Sequence, residues 1–249
     1  PIPACAASAG LTWKEVLVKI AGGQIHLWYL PMLIGIYMLL PVLRSWVLHA
    51  EVQNIRYFLV LFFILQILRS TVMVFVESET FRQVLFLGEI QMVCSYLGYF
   101  VWGYYMVHVG IPKKYGKYLY LSILPSMLCN ILISNAQSVE KGVADGRIYD
   151  SYGLFTFLIA TALFLFFTEK GKKWALGRVG EVLVTEVSKA TLGIYLTHVG
   201  IIDLLKQLGI HSATVPVVGV SLLAILVFLL GCMASALLRR IPLVGRYLC

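Results

Sequence analysis

Charge is what this sequence has least of. Of its 249 residues only 13% are Asp, Glu, Lys or Arg and 60% are hydrophobic, with a mean hydropathy of +0.87, a balance no ordinary water-soluble domain shows. A separate soluble catalytic domain is excluded, because membrane spans of about 20 residues each consume nearly the whole chain. Acidic residues are scarcer than basic ones, 12 against 20, giving a formal net charge of +8. In so apolar a chain this excess reads as loop charge that fixes topology, and the absence of a basic patch excludes a nucleic-acid partner. The five cysteines are an odd number, scattered as Cys5, Cys94, Cys129, Cys232 and Cys249, so no disulfide framework is expected. Metal-ligand spacing is missing, as are a GxSxG elbow and a phosphate-cradling glycine loop. No repeat or low-complexity segment is present.

What is present is a series of apolar runs. Seven are bounded by charge or turn residues, at about 26–43, 57–76, 89–109, 117–135, 151–168, 188–205 and 215–238, which predicts an all-α, polytopic membrane helix bundle forming one domain over residues 1–249. The third and sixth are the most interrupted, by Glu89, Gln91, Lys189, His198 and Asp203. Loop charge supports the count. Alternate loops hold Arg44 and Arg56, then Lys113, Lys114 and Lys117, then Lys170 to Lys189, then Arg239 to Arg246, thirteen basic residues against six in the other set. By the positive-inside rule the first set is cytoplasmic, which puts the C-terminus inside and the N-terminus of this chain outside, with 77–82 and 140–150 as outer loops. Lipid bilayer is thus the first partner.

Smaller features come from the same pattern. Trp28, Trp46, Tyr57, Trp102, Tyr105, Tyr118 and Tyr152 fall near span ends as an interfacial belt. Pro125 is expected to kink the fourth span, and Gly98 with Gly103 to allow close backbone approach in the third. The 19-residue connection Glu169–Val187 interleaves Trp174, Leu176, Val179, Val182 and Leu183 with Lys172, Lys173 and Arg178. It reads either as an interfacial amphipathic helix or as a docking surface for an anionic cytoplasmic ligand.

Ionisable groups within hydrocarbon need a partner or a task, since each costs at least about 2.5–3.5 kcal/mol on insertion scales. Arg69, thirteen residues beyond Arg56, lies roughly 20 Å into the membrane at 1.5 Å per residue. Gln66 precedes it by one turn, and Ser70 and Thr71 come directly after it. Arg69 is either tied structurally, to carbonyls or to Glu77, or holds an anionic or carbonyl group. His198, with Tyr195 three residues before it, lies roughly 15 Å in, and Asn130 about 20 Å in on another helix. A common polar cavity accounts for all three. His26 sits at the outer surface, while Glu89 is either a solvated helix-start acid or a carboxylate facing that cavity. His49, His108 and His211 carry no functional expectation.

Four stretches then resemble the acyltransferase 3 family of bacterial membrane O-acyltransferases. They are His26-Leu27-Trp28-Tyr29-Leu30 running on to Pro41-Val42-Leu43-Arg44; Leu97-Gly98-Tyr99-Phe100-Val101-Trp102-Gly103-Tyr104-Tyr105; Ser151-Tyr152-Gly153 leading to Ala162–Phe167; and Thr191-Leu192-Gly193-Ile194-Tyr195-Leu196-Thr197-His198. Val199 stands where the family usually has proline. The resemblance implies a roughly ten-helix inner-membrane enzyme that takes an acyl group, commonly acetyl, from cytoplasmic acyl-CoA to a hydroxyl of a surface glycan or lipid-linked saccharide, without a metal. It further implies that this chain is the C-terminal part, lacking the first three helices with their catalytic Arg and His, and inactive by itself.

Under that resemblance the missing histidine is the general base and Arg69 stabilises the oxyanion or holds the donor. His26 and His198 take part in catalysis by orienting the acceptor. Trp28, Gln66, Glu89, Tyr99, Asn130 and Tyr195 are the substrate-binding candidates. Lys170, Lys172, Lys173 and Arg178 are those for coenzyme A phosphates. A transporter of a small polar substrate such as serine is the main alternative, because a polar midmembrane cavity beside a kinked helix also suits passage. A receptor or inert scaffold has no account of the four motifs.

Overall fold

In lipid every backbone N–H and C=O must be satisfied within the segment, and every regular element among the described residues is accordingly helical. The computed structural model describes residues 29–76, 90–171, 174, 177–210 and 216–240. Its helices are α1 (Tyr29–His49), α2 (Val52–Phe75), α3 (Ile90–His108), α4 (Lys113–Lys141), α5 (Leu154–Glu169), α6 (Arg178–Gln207) and α7 (Pro216–Arg239), with a 3-10 turn at Arg147–Tyr149. These are the seven expected segments in order. Five stretches, in α1, α2, α4, α5 with its preceding turn, and α7, are long and apolar enough to cross a membrane. The chain is a polytopic helical membrane bundle. Outside those five are α3 and α6, the interrupted third and sixth runs.

Four helices run past the expected spans: α2 starts at Val52 and not at 57, and α1, α4 and α6 are longer as follows. Helix α1 continues through Pro41 to His49, because Val47 is buried against Ile55, Leu59 and Val101 and that packing holds the last turns. Helix α4 contains Pro125 and runs from Lys113 to Lys141, past both ends of the expected 117–135, ending where Gly142 adopts a left-handed φ of 65°. Helix α6 begins at Arg178, ten residues before the expected span. The amphipathic stretch 179–187 is therefore the head of α6 and not a separate interfacial helix. Glu186 is met there by Lys189 at 2.9 Å and by Arg239 of α7 at 3.2 Å, so its charge does not break the helix. Trp174 instead returns to α5, with its ring 5.7 Å from Phe166 and 6.0 Å from Phe167.

Two compact units divide the chain, one of Gly35–Trp174 and one of the described residues within Pro1–Ile34 and Ala175–Cys249. In the first, α2 packs on α3 and α4 on α5. Gly98 of α3 is the close-approach point. A Cβ there would lie 2.0 Å from the Phe62 ring, which is 1% exposed and stands edge-on to Tyr99 at 5.4 Å. Gly103 has no such role, since its Cβ would make ordinary contact with Phe164 at 3.9 Å. Trp102 is half-buried, stacked on Tyr105 and donating from Nε1 to the Thr161 hydroxyl at 3.1 Å.

In the second unit α6 packs on α7. Gly193 permits it, because a Cβ there would stand 2.3 Å from Ser235 Oγ and 3.1 Å from the Ser235 backbone. One turn on, a Cβ at Gly231 would press Ile194 at 3.1 Å. Two of the motif glycines, Gly98 and Gly193, are thus packing devices.

Candidate active site

The far half of α2 holds the most polar stretch of the first unit. A π-helical segment, Phe63–Leu68, interrupts the helix there, and the Arg69 N–H bonds back to the carbonyls of Gln66 and Ile64. Such wide turns are rare and recur at functional sites. The widened turn rotates the helix beyond it, so that Gln66 is 1% and Ile67 0% exposed, Thr71 is buried, and Arg69 between them is half-buried.

Three hydrogen bonds tie this stretch and α3 to the loop that leads into α5. The Ser70 hydroxyl donates to Asp150 Oδ2 at 2.9 Å. Thr71 Oγ1 donates to the Ile67 carbonyl at 2.8 Å and accepts the Leu154 N–H at 2.8 Å, satisfying one of the orphan donors at the α5 N-terminus. The Tyr99 hydroxyl donates to the Ser151 carbonyl. Tyr152 lies against Tyr96, 5.1 Å between ring centres, and Gly153 is required because a Cβ would meet the Ile148 carbonyl at 2.8 Å. The second and third motifs are therefore in contact through Tyr99.

The first and fourth motifs meet in the other unit. Tyr29 stands edge-on to Tyr195 at 5.5 Å. His198 Nδ1 lies 2.6 Å from the carbonyl of Tyr195, one turn earlier on α6. Thr197 donates to the Gly193 carbonyl at 2.8 Å.

The remaining candidates are dispersed. Asn130 is 4% exposed on α4, one turn beyond the buried Ser126, and its Oδ1 finds no hydrogen-bond partner among the described residues. Arg69, Gln66, Tyr99 and Asn130 share the first unit, whereas His198 and Tyr195 belong to the second. Lys170 ends α5 in the first unit and Arg178 opens α6 in the second, both exposed. His26, Trp28, Glu89, Lys172 and Lys173, with Glu77 as the alternative partner of Arg69, lie outside the described residues. Among the described residues no three of His, Cys, Asp and Glu come together as metal ligands do.

Besides a smaller cavity of about 330 Å³ beside Arg44 and His108, two larger ones open at opposite ends of the first unit. An apolar groove of about 560 Å³ runs between α2, the α3–α4 turn, α4 and α5, with Arg56 and Tyr105 at one end and Phe63, Trp102 and Thr161 along it. Arg56 Nε donates to the Tyr105 hydroxyl at 3.0 Å. A polar cavity, also of about 560 Å³, lies at the other end among Phe75, Gln137, Glu140, Lys141 and Arg147. Beside it the 142–146 turn is closed by Asp145, whose carboxylate takes Arg147 Nη2 at 2.9 Å and Lys141 Nζ at 2.5 Å. These cations, Arg147 first, hold the Asp145 carboxyl well below the usual carboxylate range.

Sequence reasoning missed Asp150, Thr161 and the Arg56–Tyr105 pair. Asp150 had a signal, as an acid directly before the Ser151-Tyr152-Gly153 motif; the other two had none, being a threonine in an apolar run and a loop-edge arginine. No curated protein and no solved structure matches the chain. The model of one protein family, described as an acyltransferase domain, matches residues 7–238, nearly its whole length. With its four motifs meeting in pairs on a helical membrane scaffold, the chain belongs to the acyltransferase 3 family.

Proposed function

We propose that this membrane acyltransferase moves an acyl group, commonly acetyl, from cytoplasmic acyl-CoA to a hydroxyl of a cell-surface glycan or lipid-linked saccharide. The observation that carries the reading is the polar stretch of α2 that holds Gln66, Arg69, Ser70 and Thr71, with Gln66 and Thr71 buried, among the apolar helices of a chain of this family. So many polar groups in a lipid-facing bundle are costly, and a reaction that builds an oxyanion gives them a use.

In this reading the acceptor oxygen attacks the thioester carbonyl, its proton passes to a base, and the tetrahedral oxyanion collapses to the ester, expelling coenzyme A thiolate, which is then protonated. Arg69 supplies the fixed positive charge beside the oxyanion, with Gln66 as a further donor. His198 takes part by orienting the acceptor, and the base that receives the hydroxyl proton lies outside this chain. His26, Trp28, Glu89, Asn130 and Tyr195 complete the acceptor side. The chain lies in the bacterial inner membrane with residues 77–82 and 140–150 outside, as the thirteen-to-six split of basic residues supports.

The test is to reconstitute the full-length protein, and not this chain alone, in vesicles and supply labelled acetyl-CoA with a saccharide acceptor, or labelled serine alone. Label appearing in an alkali-labile ester on the acceptor is the expected result. Serine uptake without ester formation would replace the enzyme by the transporter.

A further inference from the structure

The apolar groove beside α2 is too well equipped at its ends to be packing space alone. At one end the Arg56 guanidinium is fixed by its Nε bond to Tyr105 and has no carboxylate within ion-pair distance among the described residues. Lys113 and Lys114 come directly after Pro112 on the groove wall, and Lys114 Nζ lies 4.6 Å over the Tyr115 ring, another wall residue. Arg56 is thus the charged group lining an otherwise largely apolar groove, with Lys114 lying over a wall residue near the same end. Further in, Thr161 is 2% exposed and accepts Trp102 Nε1 at 3.1 Å. Its own hydroxyl proton meets no acceptor among the described residues, so a buried donor on the groove wall waits for a carbonyl. From Arg56 to Phe63 the groove runs beside α2 for about 10 Å at 1.5 Å per residue, and Gln66 and Arg69 lie within two turns beyond.

We propose that this groove binds the acyl-thioester donor. The phosphates of acyl-CoA rest on Arg56 and the neighbouring lysines, the thioester arm lies along the apolar wall, and Thr161 donates to one of its carbonyls. The proposal rests on the acyltransferase reading and moves the donor's anchor from the 170–178 segment to the α2–α3–α4 end of the first unit. Charge complementarity selects this occupant: a neutral acceptor sugar would match neither the cationic mouth nor the hydrocarbon wall, whereas an anionic head on a thin, partly apolar arm matches both. About 560 Å³ falls within the range of small-molecule sites.

The experiment measures equilibrium binding of tritiated acetyl-CoA, and acyl transfer from it, with the full-length protein in phosphatidylcholine nanodiscs. Three variants are compared with wild type: Arg56→Gln, Thr161→Val and Val60→Trp. Val60 is 54% exposed on the groove, so the larger side chain fills the channel without disturbing packing and keeps the test open if Arg56→Gln folds poorly. Each variant should raise the Kd about tenfold, the loss of one charge-assisted contact or of the space itself, while Lys189→Ala on α6 leaves it unchanged. If wild type binds and transfers but the three variants keep its Kd, the groove is not the donor site and the acyltransferase reading stands. If phosphatidylglycerol in the nanodiscs displaces acetyl-CoA and the variants instead lose co-purifying phosphatidylglycerol, the groove is a lipid site and the proposal falls. A wild-type protein that neither binds acetyl-CoA nor transfers from it overturns both.

Discussion

The Tyr99 hydroxyl donates a hydrogen bond to the main-chain carbonyl of Ser151, joining the third helix to the loop that opens the fifth. With that donor committed to the fold, any contact of Tyr99 with substrate is left to its ring face or to the oxygen's lone pairs. Tyr99→Phe should therefore lower the Tm in detergent by an amount corresponding to about 1–3 kcal/mol, the cost of leaving a buried carbonyl unsatisfied, with activity per folded molecule kept. Lost activity at an unchanged Tm would mean that the hydroxyl serves substrate directly.

Gly98→Ala should be destabilising beyond its chemistry. Its Cβ would fall 2.0 Å from Phe62 Cδ2, and Phe62 is itself wedged between Tyr99 and Phe157. Overpacking of this kind costs about 1–3 kcal/mol. Shortening the neighbour should recover part of the loss, so the melting temperature of Gly98→Ala with Phe62→Leu should lie above that of Gly98→Ala alone. Equal melting temperatures would deny the contact.

Acid should loosen the turn beside the polar cavity. Asp145 has its folded carboxyl lowered by Arg147 and Lys141, so its contribution is present above the ordinary unfolded value of about 3.9 and is lost as pH falls through the folded one. Wild type should lose thermal stability as pH falls below about 4, and Asp145→Asn should be less stable at neutral pH with a flatter acid limb. Parallel profiles for the two proteins would remove Asp145 from this role.

The helices and their order were legible because hydrocarbon dictates them: long runs without charge can only be spans, and Lys113 and Arg239 marked helix ends. Gly98 was legible for the same reason, since small residues permit helix contact in lipid. What could not be read was rotation about each helix axis. A soluble helix shows its buried face as an apolar stripe, but a span is apolar all round, so nothing in the sequence said that Thr161 faces Trp102 or that Ser70 reaches Asp150. Helix ends failed where tertiary contact decided them, at Val47 beyond Pro41 and at Glu186 beside Arg239. The π segment before Arg69 has no sequence mark, and it alters which of Gln66, Ile67 and Arg69 is buried.

Arg69 is expected to act through the shape of its guanidinium as well as its charge. Arg69→Lys should keep the protein folded and lower acyl transfer by about a hundredfold, because an ammonium cannot offer two parallel donors to one developing oxyanion. Rates are compared after normalising to folded protein by size-exclusion chromatography. Wild-type transfer in Arg69→Ala with normal expression would end this assignment.

The sidedness of the reaction tests the central claim most directly. Inverted inner-membrane vesicles expose the face assigned to Lys113, Lys114 and Arg239, and right-side-out vesicles the opposite face. Labelled acetyl-CoA added outside should be consumed only by inverted vesicles, with the label recovered as an ester on saccharide enclosed in the lumen. Consumption by sealed right-side-out vesicles, or label that never reaches an enclosed acceptor, would contradict an enzyme that takes its acyl group from the cytoplasm and delivers it to the cell surface.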